Sequence, residues 1–245
     1  MSASEKACLV VGAGDGLGAA IAKAFAAEGL TVCMTRRARH LEKLEALAAD
    51  ISAAGGKAHA FGVDAREEEE MIALFDQIER EIAPLDVVVF NIGANVWFPI
   101  TETTARVYRK VWEMAAFAGF LTGREAARVM TPRGSGAILF TGATASLRGS
   151  AHFSAFSCAK HALRALAQSM ARELGPKGVH VAHIIADGVI DGAFARENIP
   201  DIDEKISRDA ILPPDEIAAN YVWLWKQKRA AWTHELDLRP WSEKW

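Results

Sequence analysis

Two clusters in this chain combine residue types and spacing suited to holding a phosphorylated ligand. The first is Gly12-Ala13-Gly14-Asp15-Gly16-Leu17-Gly18, which follows the apolar run 7–11 and leads into a helical pattern over 19–25. A turn this tight needs residues that tolerate positive φ, and a missing side chain lets a pyrophosphate approach the peptide N–H groups at a helix start. Gly12, Gly14, Asp15, Gly16, Leu17 and Gly18 are therefore expected to form a phosphate cradle. The second cluster is Met34-Thr35-Arg36-Arg37 at the end of the next apolar run. In dinucleotide-binding folds this place reads the adenosine ribose: an acidic residue accepts the 2′-OH of NAD(H), and a basic one accommodates the 2′-phosphate of NADP(H). Two neighbouring guanidinium groups, with no carboxylate beside them, favour NADP(H) over NAD(H). The alternative is a solvated pair capping a strand.

The elements that must carry these clusters show as short apolar runs alternating with longer segments of helical periodicity. Strands are expected at 7–11, 31–35, 57–62, 86–91, 136–141, 179–185 and 235–238, and helices at 16–28, 40–54, 67–83, 104–130, 155–174 and 214–227. This βα rhythm predicts an α/β doubly wound Rossmann fold. It would be a single seven-stranded parallel sheet with helices on both faces and ligands at the carboxyl ends of the strands. One domain over 1–245 is expected. The segment 186–212 lacks clear periodicity and reads as a substrate-lid loop.

The 245 residues carry a formal net charge of -3, which gives no broad basic field for nucleic acid or an anionic membrane. No run approaches a membrane span, and the opening residues lack the order of a signal peptide, so a cytoplasmic protein with a small-molecule partner is expected. Cys8, Cys33 and Cys158 are too scattered for a redox pair or a zinc site and read as reduced thiols, Cys158 as core. His180 and His183 lie three apart on a strand and face opposite ways, so no metal site is expected. The run Arg66-Glu67-Glu68-Glu69-Glu70 reads as a helix start, and no G-x-S-x-G elbow is present.

Together these features resemble the short-chain dehydrogenase/reductase family over essentially the whole chain. Gly12, Gly16 and Gly18 match its T-G-x-x-x-G-x-G motif, with Val11 where threonine is usual. Asp64, followed by Ala65, looks like its adenine-contacting aspartate, and Phe90-Asn91-Ile92-Gly93 is similar to its N-N-A-G segment. Phe156-Ser157-Cys158-Ala159-Lys160 resembles its Y-x-x-x-K segment, and Asp187-Gly188 stands where it has P-G. The resemblance implies that Asp64, Ala65, Asn91, Gly93, Lys160, Gly188 and Ile190 contact the cofactor. Val189 and Ile190 would meet the carboxamide through their backbone.

It also implies that three members of the catalytic tetrad are replaced: the tyrosine by Phe156, the serine by Ala143 and the asparagine by Ala115, with Lys160 kept. Carbonyl reduction needs a proton as well as a hydride, and phenylalanine has none to give. Thr144 and His152 are candidate substitutes; the former could equally satisfy a strand end, the latter a cap or the surface. Asp187, if beside the nicotinamide, would favour the oxidised ring; a capping aspartate is the alternative.

Five of the seven tryptophans, Trp223, Trp225, Trp232, Trp241 and Trp245, crowd the C-terminal fifth, which suits core packing or the subunit contacts of a homodimer or homotetramer. Two functions stay open. One is an NADP(H)-dependent oxidoreductase acting on a small carbonyl or alcohol by a non-standard proton relay. The other is an inactive dinucleotide-binding or regulatory protein.

Overall fold

The central strands owe their place to largely apolar runs, which a parallel sheet buries on both faces. The computed structural model describes residues 5–243; Trp245 and the four opening residues lie outside that range. Seven strands, β1 (Ala7–Val11), β2 (Thr31–Arg36), β3 (Lys57–Gly62), β4 (Leu85–Phe90), β5 (Ala137–Ala143), β6 (His180–Ala186) and β7 (Glu235–Leu238), pair in parallel in the order β3-β2-β1-β4-β5-β6-β7. The order reverses between β1 and β4, so a crevice opens at their carboxyl ends. There Val11 is in register with both Thr35 and Phe90, which brings the turn at Gly12 between Arg36 and Asn91.

Two apolar layers cover the sheet. On one face Leu17, Ile21 and Phe25 of α1 (Leu17–Ala27), Leu44 and Ile51 of α2 (Leu41–Ala53), and Ile217, Tyr221 and Leu224 of α9 (Pro214–Trp225) pack in one cluster with strand residues. On the other, α3 (Glu68–Glu81), α5 (Ala118–Met130) and α6 (Ser154–Leu174) supply Met71, Phe75, Leu121, Met130 and Leu163. The strands and five of the six expected helices lie within about two residues of their expected bounds, the scatter usual for element ends. No helix among the described residues is long and apolar enough to cross a membrane.

Three expectations change. The helix expected over 104–130 is interrupted: α4 (Ala105–Trp112) gives way to a π turn, Glu113–Phe117, before α5 begins. Such turns insert one residue into the helical ladder, and here the turn buries Ala115 and Ala116 against α6. The segment 186–212 is not a structureless loop. It holds two short helices, α7 (Ala193–Asn198) and α8 (Ile202–Ser207), around a small core of Ala195, Ile202 and Ile211, and a bridge between Ile190 and Leu212 closes its base. Isoleucines 199, 202 and 206 carry that helical spacing, masked in the sequence by Gly192 and Pro200. Cys158 is exposed rather than core, and its hydrogen bond raises the Tyr108 phenol pKa.

The tryptophans divide by role. Trp225 packs edge-on to Phe25 and donates to Asp86 at 2.8 Å, and Trp232 stacks on His180 at 4.8 Å. Trp223 and Trp241 are exposed.

Candidate active site

The glycines of the first turn divide into those the fold needs and those it leaves open. Gly12 has φ +91°, and a Cβ on Gly18 would stand 2.5 Å from the Gly12 carbonyl, so these two serve the turn and the packing of α1 on β1. Around Gly16 nothing lies within 4 Å, and Gly14 meets only the tip of Arg36 at 4.0 Å. Open space at these positions beside a helix N-terminus is what a phosphate needs. Leu17 and Gly18 are themselves buried in the helix start. Asn91 fastens the turn from β4, its amide Nδ2 donating to the Gly12 carbonyl at 3.2 Å.

Beside the turn lies a cavity of about 240 Å³ whose lining includes Gly12, Gly14, Asp64, Ala65, Asn91 and Gly93. Arg36, Arg37, His40 and Arg66 make its basic wall, and Met114 of the π turn also faces it. Arg36 is held by Asp15 at 2.8 Å, while Asp15 also receives Lys43 at 3.6 Å. Burial, then repulsion from Arg39, lowers the Arg37 pKa. Arg66 grips Asp64 through Nε at 2.9 Å and Nη2 at 2.5 Å, which keeps that carboxyl below its ordinary pKa. Burial and the surrounding guanidiniums lower the His40 pKa. A cationic wall above bare peptide suits a phosphorylated nucleotide. Arg66 and His40 were missed in the sequence because each reads locally as part of a helix start; His40 lies in the turn after Arg37, whereas Arg66 is brought to Arg36 and Arg37 by the parallel register of β2 and β3.

The other end of the crevice is apolar. Ala115 from the π turn, Ala145, and Ala155, Phe156 and Ala159 from α6 share one cluster, against which Ala143 packs from the end of β5. Lys160, 2% exposed, donates to the carbonyls of Thr141 at 2.8 Å and Ile92 at 3.1 Å, and its Nζ stands 5.8 Å from the Phe156 ring centroid. It thereby ties the ends of β4 and β5 together, and burial pushes its pKa down to about 7.

The two candidate proton donors are next in sequence to residues of this cluster, Thr144 between Ala143 and Ala145 and His152 before Phe153. Thr144 donates its hydroxyl to Asp187 Oδ1 at 2.6 Å. His152, exposed and at φ +70°, packs against Trp97 with ring centroids 4.5 Å apart and the ring planes tilted by 48°. Asp187 is no free carboxylate: it is 0% exposed and lies 3.3 Å from Arg148 and 3.2 Å from Arg239. Its negative charge is balanced inside the fold, so the expectation that it biases the nicotinamide's redox state gives way to a structural knot.

Gly188 packs against Pro240, where a Cβ would meet Cδ at 2.8 Å. At Ile190 the bridge uses the Val189 carbonyl and the Asp191 N–H, each paired with Leu212 at 2.9 Å, so the peptide groups of Ile190 itself face the other way. His180 bonds the Thr233 carbonyl and His183 lies 3.3 Å from Glu235; among the described residues no cluster could hold a metal ion.

Comparison with known proteins matches residues 6–202 to the short chain dehydrogenase family. The chain belongs to that family. It is 50% identical to a short-chain dehydrogenase from Rhodopseudomonas palustris, whose crystal structure superposes with a TM-score of 0.82 over 96% of this chain and 99% of that one. A cis-4-hydroxycyclohexanecarboxylate dehydrogenase from Sinomonas cyclohexanicum is 32% identical over 77% of this chain and 74% of its own length. A metagenomic short-chain oxidoreductase solved in complex with NADP is 26% identical, with a TM-score of 0.80 over 98% of this chain and 99% of that one.

Proposed function

We propose that this member of the short-chain family binds NADP(H) and moves a hydride between it and a small carbonyl or alcohol, with a proton path other than the family's tyrosine. The observation that carries the reading is the wall of Arg36, Arg37, His40 and Arg66 beside a glycine turn left open at Gly14 and Gly16. Arg36 and Arg37 would hold the 2′-phosphate, Asp64 and Ala65 the adenine side, the glycine turn with Asp15 the pyrophosphate, and Asn91, Gly93, Lys160, Gly188 and Ile190 the nicotinamide half. When bound, the dinucleotide supplies or accepts the hydride.

The residues around the reacting carbon then exclude water more than they move protons. Phe156, Ala143 and Ala115 stand where the family has tyrosine, serine and asparagine, and they share one apolar cluster. General acid catalysis contributes about 10² to 10⁴ in rate, so ordinary carbonyl reduction should be slow by that order. Thr144 donates to Asp187 and His152 packs against Trp97, so a proton relay through either residue would have to release that contact. The same cluster favours a second reading, a dinucleotide-binding protein without turnover.

One experiment separates the two. NADPH and NADH are titrated by calorimetry, and turnover is followed over a panel of ketones, aldehydes and alcohols, with Phe156→Tyr, Ala143→Ser and Ala115→Asn combined as a restoration control. Turnover by the natural chain supports the enzyme; binding with turnover only after restoration supports the second reading; absence of binding removes both. We place the protein in the cytoplasm as a homodimer or homotetramer, for which the exposed Trp223 and Trp241 are candidate contacts. Sedimentation as a monomer at micromolar concentration would count against that assembly.

A further inference from the structure

One group in the basic wall can change its charge near neutral pH. The Nε–H of Arg39 donates to His40 Nε2 at 3.0 Å, so that nitrogen offers a lone pair and the imidazole is neutral, its proton on Nδ1. His40 also lines the cavity with Arg36, Arg37 and Arg66. The cations that disfavour its charged form are Arg36 and Arg37 at the end of β2, Arg39 in its own turn and Lys43 on α2. The nearby carboxylates are committed: Asp15 to Arg36 and Lys43, and across the cavity Asp64 to Arg66, with Glu113 of the π turn 3.9 Å beyond Arg66. The wall is thus short of negative charge, which adds to burial in disfavouring the charged form of His40.

We propose that His40 takes up a proton when a 2′-phosphate enters this wall, so that discrimination of NADP(H) from NAD(H) sharpens as pH falls. The inference rests on the NADP(H) reading above. A phosphate carrying close to two negative charges offsets the repulsion that, with burial, disfavours charged His40, and by linkage a ligand that favours the protonated form binds more tightly where protons are more available. NAD(H), with a hydroxyl in that place, brings no such charge. The phosphate's own titration works in the opposite direction. Its second pKa is about 6, and cationic neighbours hold it ionised, so without His40 NADP(H) would bind with proton release and more weakly at low pH.

The test is calorimetry of the full chain with NADPH and with NADH, in buffers of different ionisation enthalpy, between pH 6 and pH 8. Uptake of about half a proton per NADPH near pH 6.5 is expected, with none for NADH. The ratio of NADPH to NADH affinity should rise about threefold to tenfold from pH 8 to pH 6. In His40→Ala and His40→Gln the uptake should vanish and the ratio should fall over the same range. NADPH binding with a flat ratio, or uptake that survives in both variants, overturns the role of His40 and leaves the NADP(H) reading standing. Binding of NADH alone, or of neither nucleotide, overturns both.

Discussion

Thr144 donates its hydroxyl to Asp187 at 2.6 Å, and this bond joins the turn after β5 to the residue that follows β6. The peptide N–H of Asp187 donates to Leu238 at 2.8 Å, so the same residue also holds the end of β7. Removing the carboxylate in Asp187→Ala would leave Arg148 and Arg239 facing a buried gap and should cost about 3 kcal/mol. Asp187→Asn, which still accepts from Thr144, should cost roughly half as much. Urea unfolding measures both, and a loss below about 1 kcal/mol for the alanine variant would show the knot to be dispensable.

The two classes of glycine in the first turn should separate by readout. Gly18→Ala forces a Cβ against the Gly12 carbonyl and should lower thermal stability. Gly16→Ala points into open space and should leave stability within about 0.5 kcal/mol while weakening dinucleotide binding. Equal effects of the two changes on both stability and binding would contradict this division.

Charge-assisted hydrogen bonds are worth about 1.5 to 3 kcal/mol, so Arg36→Ala and Arg37→Ala should each weaken NADPH binding by about tenfold to a hundredfold. Binding of NADH should change by less than about threefold. Parallel losses for both nucleotides, seen in fluorescence titrations, would place the phosphate elsewhere.

Acid should destabilise the protein partly through His183. Burial, opposed by Glu235, lowers the pKa of this imidazole from 6.5 to about 4 in the folded chain. The unfolded chain binds the proton first, so the stability contributed by neutral His183 is full above about pH 6.5 and is lost as pH falls through about 4. Denaturant midpoints measured over this range should slope less steeply in His183→Gln than in the natural chain. Identical slopes would assign the acid sensitivity to other groups.

Much of this was legible in local pattern. A glycine turn between a strand and a helix announces itself because backbone freedom and an absent side chain are properties of single residues, and the alternation of apolar runs with helical periodicity names the sheet. Arg36 and Arg37 followed from their place at a strand end. Arg66 did not, because it reaches them only when β2 and β3 lie side by side, and His40, though near in sequence, reads as a helix start.

What the sequence by itself determined is therefore the layered α/β architecture, the cradle at Gly12 to Gly18 and the candidate residues Lys160, Phe156, Ala143 and Ala115. Short-range periodicity and residue type encode the architecture and the glycine turn directly, whereas the last four residues follow from the resemblance to the short-chain family. Only the tertiary structure decided that the three apolar residues share one cluster, that the helix before them breaks at Glu113–Phe117, and that Asp187 is balanced rather than free. Packing across the sheet and charge pairing between distant segments depend on long-range geometry, which no stretch of neighbouring residues specifies.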